Sequence, residues 1–394
     1  MEFPKWDSEA GRLELYVRRR QVERSWSLER FLEWYGIGEP FNYWISMAID
    51  MVPPEFQGLA KEIVIVASRA GDLNARAYRL SRNVRVIELD LRLIATYAAF
   101  GFAIQGFMDD FSSWRTEQRK SFTKRYFQHD QLLDVLAQEA RDFRLATKAS
   151  APLLKASKLL DEHFNNPSRE HLSSIRPLAE EAGPYWIAAI QFVIAHEVAH
   201  HLLDHTARPG DPLVIRGREF LYDWLDGFKF GYELPEVANS RQRRELEADS
   251  LAVRFLMPKH SPTVLKEWPP LMDHQAAAGA FVALPALSLR ESISDSSRPE
   301  SISPVNNGIY ALASHPTFDM RCRNVVSLLA AAGEETRTEE VEGVGLVLRS
   351  YDAAAFAARL WAFREYIIGA SYDAKGKSTE ASRFRIEFME PGKK

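Results

Sequence analysis

The chain lacks the features that mark several classes of protein. Cys322 is its only cysteine, so neither an internal disulfide nor a zinc knuckle built from several thiolates can form. The first ten residues have no basic start and no apolar run, and we therefore predict neither a signal peptide nor a transit sequence. The near-absence of cysteine favours a reducing compartment, and we expect a cytoplasmic protein.

Long apolar runs are also missing. A membrane-spanning helix needs about twenty consecutive apolar residues. The two nearest stretches are residues 91–108, which Arg92 and Gln105 interrupt, and residues 276–289, which are short and broken by Pro285. We interpret both as buried core helices and expect no membrane partner.

Charge of one sign does not dominate. The chain has 50 Lys and Arg against 54 Asp and Glu, which gives a net charge of −4. This balance argues against a nucleic-acid partner, and the arginines at 18–20 and 241–244 are interpreted as solvated helix faces. No GxSxG or GxxxxGK motif occurs, which disfavours serine-hydrolase and P-loop chemistry.

The chain does contain His196-Glu197-Val198-Ala199-His200, set in an apolar segment. Residues i and i+4 lie on one face of a helix, so both imidazoles can point at one metal ion. Glu197 lies one position round the helix, beside the open coordination site, where a carboxylate can take a proton from water. The motif indicates a zinc metallopeptidase; the alternative is two histidines on a surface helix.

We predict a helix around this motif. Proline is favoured in the first helical turn, so the helix is expected to begin at Gly183-Pro184 and to end before residues 208–212. An apolar stripe should bury one side and leave His196 and His200 turned toward a cleft. The stripe consists of Ile187, Ile190, Ile194, Val198 and Leu202.

A catalytic zinc ion takes three protein ligands and keeps a fourth position for water. Glu245 is the best candidate for the third ligand, in a segment of helical periodicity that Pro258 terminates. Asp249 follows at i+4 and is expected to accept the spare N–H of a ligand histidine. Glu247 points about 160° away from Glu245 in a regular helix, and we expect it to be solvated. The alternative is an exposed helix with Arg–Glu pairs.

Two further histidines flank the motif. His201 lies one turn after Glu197, and His205 lies one turn after His201. A second metal site is one interpretation of this spacing, but we expect solvated or hydrogen-bonded histidines.

The combination of motifs resembles a known peptidase family. HExxH followed by ExxAD at residues 245–249 is similar to the gluzincins that include the heat-shock peptidase HtpX and the CAAX prenyl endopeptidases. Residues 315–321 match their HPxxxxR element. Residues 63–67, Asn74-Ala75 and 84–89 are similar to their strand, Asn-Ala turn and second strand. The chain departs from that family at Ala199, where glycine is usual, and in the long segment between the second strand and the motif.

This resemblance implies a zincin-like metallopeptidase core with Zn²⁺ held by His196, His200 and Glu245. It also implies a catalytic role for Glu197 as general base. His315 is expected to stabilise the oxyanion or to gate the zinc site, with a structural hydrogen bond as the alternative.

Two further roles follow from the same resemblance. Arg321 is expected to support the oxyanion or the substrate, with a plain ion pair as the alternative. An edge strand of such peptidases holds the substrate in extended form, which assigns Val86, Ile87 and Glu88 to substrate binding. An interior strand without a ligand role is the other interpretation of these three residues.

The expected fold is mainly α with a small β-sheet (α+β), built as a zincin-like core with added helices. We divide the chain into five regions. They are an N-terminal helical region (1–58), the small sheet and helix of the core (59–108), a helical insertion (109–183), the catalytic zinc-binding region (184–335) and a C-terminal strand, helix and polar tail (336–394).

These features predict a soluble zinc-dependent endopeptidase that acts on protein or peptide substrates, in regulation, stress or phage defence. Two alternatives stay open. One is a catalytically silent binding protein on the zincin fold, against which the intact Glu197 argues; the other is a zinc hydrolase of a non-peptide amide. The sequence leaves the oligomeric state open.

Overall fold

Helices and one small sheet make up the part of the chain that the computed structural model describes. This part comprises residues 48–68, 74–79, 84–117, 138–143, 169–207, 239–257, 278–284 and 320–329, with single positions at 135, 237, 316, 362 and 363. The elements are, in order, α1 (Pro54–Lys61), β1 (Val64–Ser68), β2 (Ala75–Arg79), β3 (Arg85–Asp90), α2 (Leu91–Glu117), α3 (Arg169–Leu202) and α4 (Ser240–Phe255). Residues 278–284 and 320–329 are also helical. The prediction of a mainly α fold with a small sheet is therefore confirmed.

The sheet has the strand order β1–β3–β2, in which β3 runs parallel to β1 and antiparallel to β2. Val86 of β3 pairs with Val64 on one side and with Tyr78 on the other. Because its backbone is paired on both sides, β3 cannot add an extended substrate as a further strand. The edge position expected of Val86, Ile87 and Glu88 is therefore wrong, whereas a contact of these residues with substrate stays a prediction.

Strand β2 was not predicted from the sequence. Asn74-Ala75 was expected to form a turn, but Ala75 is already the first residue of β2. The sequence Ala-Arg-Ala-Tyr-Arg contains few of the β-branched residues that favour strands. Its pairing with β3, from Ala75 opposite Leu89 to Arg79 opposite Arg85, provides the stabilisation that its composition does not indicate.

Helices α2 and α3 pack against each other in the centre of the core. Residues 91–108, predicted to form a buried helix, lie in α2, which begins directly after β3. Trp186 of α3 donates its indole N–H to the carbonyl oxygen of Ile94 at 3.0 Å, so the polar edge of this buried ring is satisfied. Within the described ranges, no helix has the length and apolar content needed to cross a membrane.

Helix α3 differs from the prediction at both ends. It begins at Arg169 and runs through Gly183-Pro184, which was the predicted start. A proline removes one backbone donor and crowds the preceding turn, but the residues after it keep their own hydrogen bonds, so a long helix can continue. The helix ends at Leu202, earlier than predicted, because Asp204 adopts a left-handed backbone with φ of 57°.

The burial of α3 is also wider than the predicted single stripe. From Trp186 to Ala199 every residue except the half-buried Ile187 is buried. The helical residues 278–284 approach α3 closely at Gly279, where a Cβ atom would lie 2.6 Å from the carbonyl oxygen of Ala188. From Trp186 to Ala199, α3 is thus enclosed by its neighbours rather than amphipathic.

Helix α4 forms where the sequence predicts it and ends at Phe255, shortly before Pro258. The side chain of Asn239 caps its first turn by accepting hydrogen bonds from the backbone N–H groups of Arg241 and Gln242. Every residue from Leu246 to Phe255 is buried. Glu247 is one of them, so the prediction that it is solvated is wrong. The buried surface of α4 therefore extends beyond the face that carries Glu245.

Several predictions concern residues outside the described ranges. They include the helix proposed near the N-terminus, most of the insertion, His315, and the C-terminal region apart from positions 362 and 363. The proposed region boundaries after 108 and 183 fall inside α2 and α3, which pass these positions without a break.

Candidate metal centre and active site

Helix α3 directs both histidines of the motif at one point. The ring centroids of His196 and His200 lie 4.7 Å apart, and their Nε2 atoms lie 3.1 Å apart. The i, i+4 spacing places the two rings on the same helical face, one turn apart. Their Nε2 atoms therefore form two corners of a candidate metal site.

Glu245 of α4 supplies the third corner. Its Oε2 atom lies 3.5 Å from Nε2 of His196, and its Oε1 atom lies 3.5 Å from Nε2 of His200. Donor atoms held about 2.1 Å from a tetrahedral ion are about 3.4 Å apart, which matches these separations. Two imidazoles and one carboxylate are also a donor set that suits zinc. The three residues could therefore hold a metal ion.

The electrostatics of this cluster favour a cation between the rings. Burial lowers the pKa of His196, but its hydrogen bonds with Asp249 and Glu245 outweigh burial and raise that pKa to about 9. At His200 burial dominates and holds the pKa well below its ordinary value. The carboxylates thus attract one positive charge to the rings, which either a proton on His196 or a metal ion can supply.

Asp249 and Arg321 lie on the Nδ1 side of His196, away from the candidate metal position. The Oδ1 atom of Asp249 is 2.9 Å from Nδ1 of His196, although the N–H direction departs from ideal hydrogen-bond geometry. Arg321 donates two hydrogen bonds of 2.7 Å to Asp249, and its Nη1 atom lies 3.8 Å from Oε2 of Glu245. The structure thus places Asp249 beside His196, a candidate ligand, and it places Arg321 in an ion pair with Asp249.

Glu197 is buried next to the cluster. Burial raises its pKa to about 7; Glu245 adds to the rise, whereas His196, Arg321 and the donated backbone N–H of Ala77 oppose it. A carboxyl group with a pKa near neutrality can both accept and release a proton under physiological conditions. The contact with Ala77 also brings strand β2 to this carboxylate.

A group on the other side of His200 was missed by the sequence analysis. The Nδ1 atom of His200 lies 2.9 Å from Nδ1 of His205, and Nε2 of His205 lies 3.2 Å from Oε2 of Glu247. Arg243 donates from Nε to Oε1 of Glu247 at 3.0 Å. We call His205, Glu247 and Arg243 the His205 network. Helical periodicity gives no signal for it, because His205 lies in the turn after α3.

His201 points to the sheet instead. Its Nε2 atom lies 3.2 Å from the carbonyl oxygen of Val86, and its Nδ1 atom lies 3.2 Å from Oγ1 of Thr206. Burial lowers its pKa to about 4, so the ring is neutral near pH 7. Both flanking histidines are hydrogen-bonded, as expected, and the described residues contain no second cluster able to hold a metal.

Tyr97 of α2 brings a hydroxyl group toward the same region. The hydroxyl is buried and makes no hydrogen bond within the described part of the chain. Burial raises its pKa; Arg321 opposes this rise and Glu197 adds to it. The phenol therefore lies within the electrostatic field of Glu197 and Arg321.

The comparison with known proteins gives one family. Residues 100–341 match the model of Peptidase U49. The match covers more than half of the 394 residues, and it includes α3, α4 and therefore all three candidate ligands. No match was found to a curated protein or to a solved structure. The chain therefore belongs to the Peptidase U49 family.

Proposed function

We propose that this chain is a zinc-dependent endopeptidase that hydrolyses peptide bonds of protein substrates. The observation that carries the proposal is the convergence of His196, His200 and Glu245 beside the buried carboxyl group of Glu197. Membership of a peptidase family supports a peptide substrate. The similarity to HtpX and the CAAX prenyl endopeptidases in HExxH and ExxAD supports the zinc-dependent type.

The residues of the site divide the chemistry between them. His196, His200 and Glu245 would hold Zn²⁺, which lowers the pKa of water and polarises a carbonyl group. Glu197 takes a proton from the attacking water and passes it to the departing amine. Arg321 holds Asp249 and lies beside Glu245, so it keeps the carboxylates in position. His315 remains our candidate for stabilising the oxyanion.

An extended substrate would lie along β2. Among the described strands β2 is an edge strand, and its Ala77 N–H already reaches Glu197. A peptide that pairs with such an edge presents its carbonyl groups at regular intervals. We further propose a cytoplasmic location, which the single, buried Cys322 supports.

The substitution Glu197→Gln tests the proposal. It keeps the size of the side chain and all three ligands but removes the proton acceptor, so cleavage should fall by at least about 100-fold while zinc binding is retained. New protein N-termini should be compared in cells that express the wild type or this variant, and bound zinc should be measured in both purified proteins. Glu55→Gln, at an exposed position in α1, is the matched control and should cleave like the wild type.

Two results would contradict the proposal. One is a wild-type protein that binds zinc but generates no new N-termini relative to Glu197→Gln. The other is a wild-type protein that binds no zinc, or whose bound zinc is unaffected by Glu245→Gln.

A further inference from the structure

We propose that His205 and Glu247 position the second metal ligand, His200, by fixing which of its ring nitrogens carries the proton. This inference rests on the zinc site of the proposed function, but it concerns residues outside the ligand set. The two residues form a series of contacts that begins at Nδ1 of His200, the ring nitrogen that faces away from the candidate metal position. They are positioning residues that act on the metal through His200.

The end of α3 brings His205 to this place. The left-handed Asp204 turns the chain back, and the N–H of His205 then donates to the carbonyl oxygen of His200 at 2.9 Å. This bond and the left-handed residue before it are typical of a Schellman helix end. Asp204 is itself held by an ion pair with Arg79 of β2, in which both side chains are almost fully buried. The backbone therefore fixes His205 directly beside the ligand ring.

The positions of the ring protons on His205 and His200 can be assigned in turn, beginning from Glu247. A carboxylate can only accept a hydrogen bond, so Nε2 of His205 must carry a proton in order to donate to Glu247. The side chain of His205 is only 5% exposed, and burial of this kind disfavours a charged ring. A neutral ring with its proton on Nε2 has a lone pair on Nδ1. Nδ1 of His200 must then donate, which leaves the lone pair of His200 on Nε2, the atom that faces His196 and Glu245.

The opposite arrangement is disfavoured by the same contacts. If Nδ1 of His205 carried the only proton of that ring, its Nε2 lone pair would face the carboxylate of Glu247 at 3.2 Å. Two acceptors at that distance repel each other. Arg243 adds to the preference, because its donation to the other oxygen of Glu247 stabilises the ionised carboxylate.

The first ligand has a separate partner of the same kind. Asp249 lies against Nδ1 of His196 and is held by Arg321, so a carboxylate on α4 orients each of the two rings. The difference is that Asp249 contacts its ring directly, whereas Glu247 acts through His205. The His205 network also reaches solvent, since the side chain of Arg243 is 65% exposed while that of Glu247 is 8% exposed.

Zinc affinity of purified variants tests this inference, measured by competition with a chromophoric chelator. Removing a partner of a metal-ligating histidine costs about 10- to 100-fold in metal affinity, and we expect His205→Leu to lose zinc affinity in this range. His205→Asn places an acceptor oxygen near the Nδ1 position and should recover most of the affinity. Glu247→Gln should show a smaller loss than His205→Leu.

A spectroscopic measurement separates positioning from loss of folding. The visible absorption bands of bound Co²⁺ depend on the direction and basicity of the ligand nitrogens. We expect these bands to shift in His205→Leu and Glu247→Gln and to return toward the wild-type position in His205→Asn. Arg241→Ala, an exposed arginine on the same helix, is the matched control and should leave both readouts unchanged.

The outcomes are distinguishable. If the wild type binds zinc but His205→Leu and Glu247→Gln bind it equally well with unshifted Co²⁺ bands, the positioning role is wrong and the proposed function stands. If His205→Asn is as weak as His205→Leu, the loss comes from packing and the positioning role is again wrong. If the wild type itself binds no zinc, the proposed function fails and this inference fails with it.

Discussion

His196, His200, His201 and His205 lie within ten residues, yet each ring has a different environment. His196 faces two carboxylates and has a raised pKa, whereas burial lowers the pKa of the other three. The same side chain thus occurs as a candidate ligand, as a contact of a candidate ligand, and as a link between α3 and the sheet. Its role depends on which groups surround each ring nitrogen.

His201 should make stability depend on pH. Its pKa is about 4 in the folded protein, against an ordinary value of 6.5. Because the folded pKa is depressed, the stabilisation is present above pH 6.5 and is lost as the pH falls toward 4; a shift of this size corresponds to about 3 kcal/mol. Urea unfolding with a chelator present, at several pH values from 7.5 to 4, should show this loss.

The variant His201→Gln isolates this effect. Glutamine can still donate to the carbonyl oxygen of Val86 but does not titrate. The wild type should therefore lose up to about 3 kcal/mol more unfolding free energy than the variant between pH 7.5 and 4. Parallel pH profiles for the two proteins would show that His201 does not cause the dependence.

At the scale of elements, the end of α3 depends on a strained residue with a buried partner. A left-handed residue other than glycine costs about 1 to 2 kcal/mol, so Asp204→Gly relieves strain. It also leaves Arg79 buried without the carboxylate that lies 3.7 Å away, and breaking a buried ion pair costs about 3 to 5 kcal/mol. We expect a net loss of unfolding free energy, measured by urea unfolding.

Asp50→Asn is the control for that measurement. Asp50 pairs with Lys61 at 3.6 Å, but both side chains are exposed, so the loss should stay below about 1 kcal/mol. An Asp204→Gly protein as stable as the wild type would mean that the pair with Arg79 contributes no more than the strain that glycine relieves.

Alanine substitutions at two glycines measure how closely the helices pack at each position. At Gly279 a methyl group would lie 2.6 Å from the carbonyl oxygen of Ala188 and 2.9 Å from Cβ of Phe192, and we expect Gly279→Ala to cost about 1 to 3 kcal/mol. At Gly58 in α1 nothing lies within 4 Å of that position, so Gly58→Ala should stabilise the protein by about 0.5 to 1 kcal/mol. Thermal unfolding of both variants measures the contrast, and equal effects would contradict the close contact.

The sequence predicted those parts of the site whose geometry is local. His196 and His200, and likewise Glu245 and Asp249, are separated by one helical turn, so their shared faces follow from helix geometry alone. The contact between His205 and Glu247 was not predictable in this way. It depends on the left-handed Asp204 and on how α4 docks against α3, neither of which leaves a periodic pattern in the sequence.

Other elements were missed for similar reasons. Pro184 indicated a helix start because proline suits the first turn, yet α3 continues through it. Strand β2 was not predicted because its two arginines and two alanines do not favour a strand. Its stability comes from pairing with β3. Burial of α3 on all sides, rather than along one stripe, reflects tertiary packing that a hydrophobic pattern does not specify.

At the scale of the whole molecule, the candidate site joins helices that are distant in sequence. His196 and His200 come from α3, Glu245 and Asp249 from α4, and Arg321 from the helical residues 320–329. A ligand that binds only the folded state stabilises it, by about 2.7 kcal/mol at a free concentration 100 times its dissociation constant. Zinc should therefore raise the free energy of unfolding by about this amount under that condition.

Urea unfolding in a zinc buffer and in excess chelator measures this increase. Glu245→Gln removes one ligand and should abolish most of it. If the variant gains as much stability from zinc as the wild type, the ion binds elsewhere and the three-residue site is wrong.

Within the described ranges, helix α4 carries the carboxylates that lie near the two rings: Glu245 faces both of them, Asp249 contacts His196, and Glu247 contacts His205 beside His200. Advancing this helix by a single residue would rotate it by about 100° and withdraw all three carboxylates together. The two rings would then remain together on α3 without the three carboxylates of α4. A compound that separates α4 from α3 should therefore disrupt the candidate metal centre without binding at the metal position itself.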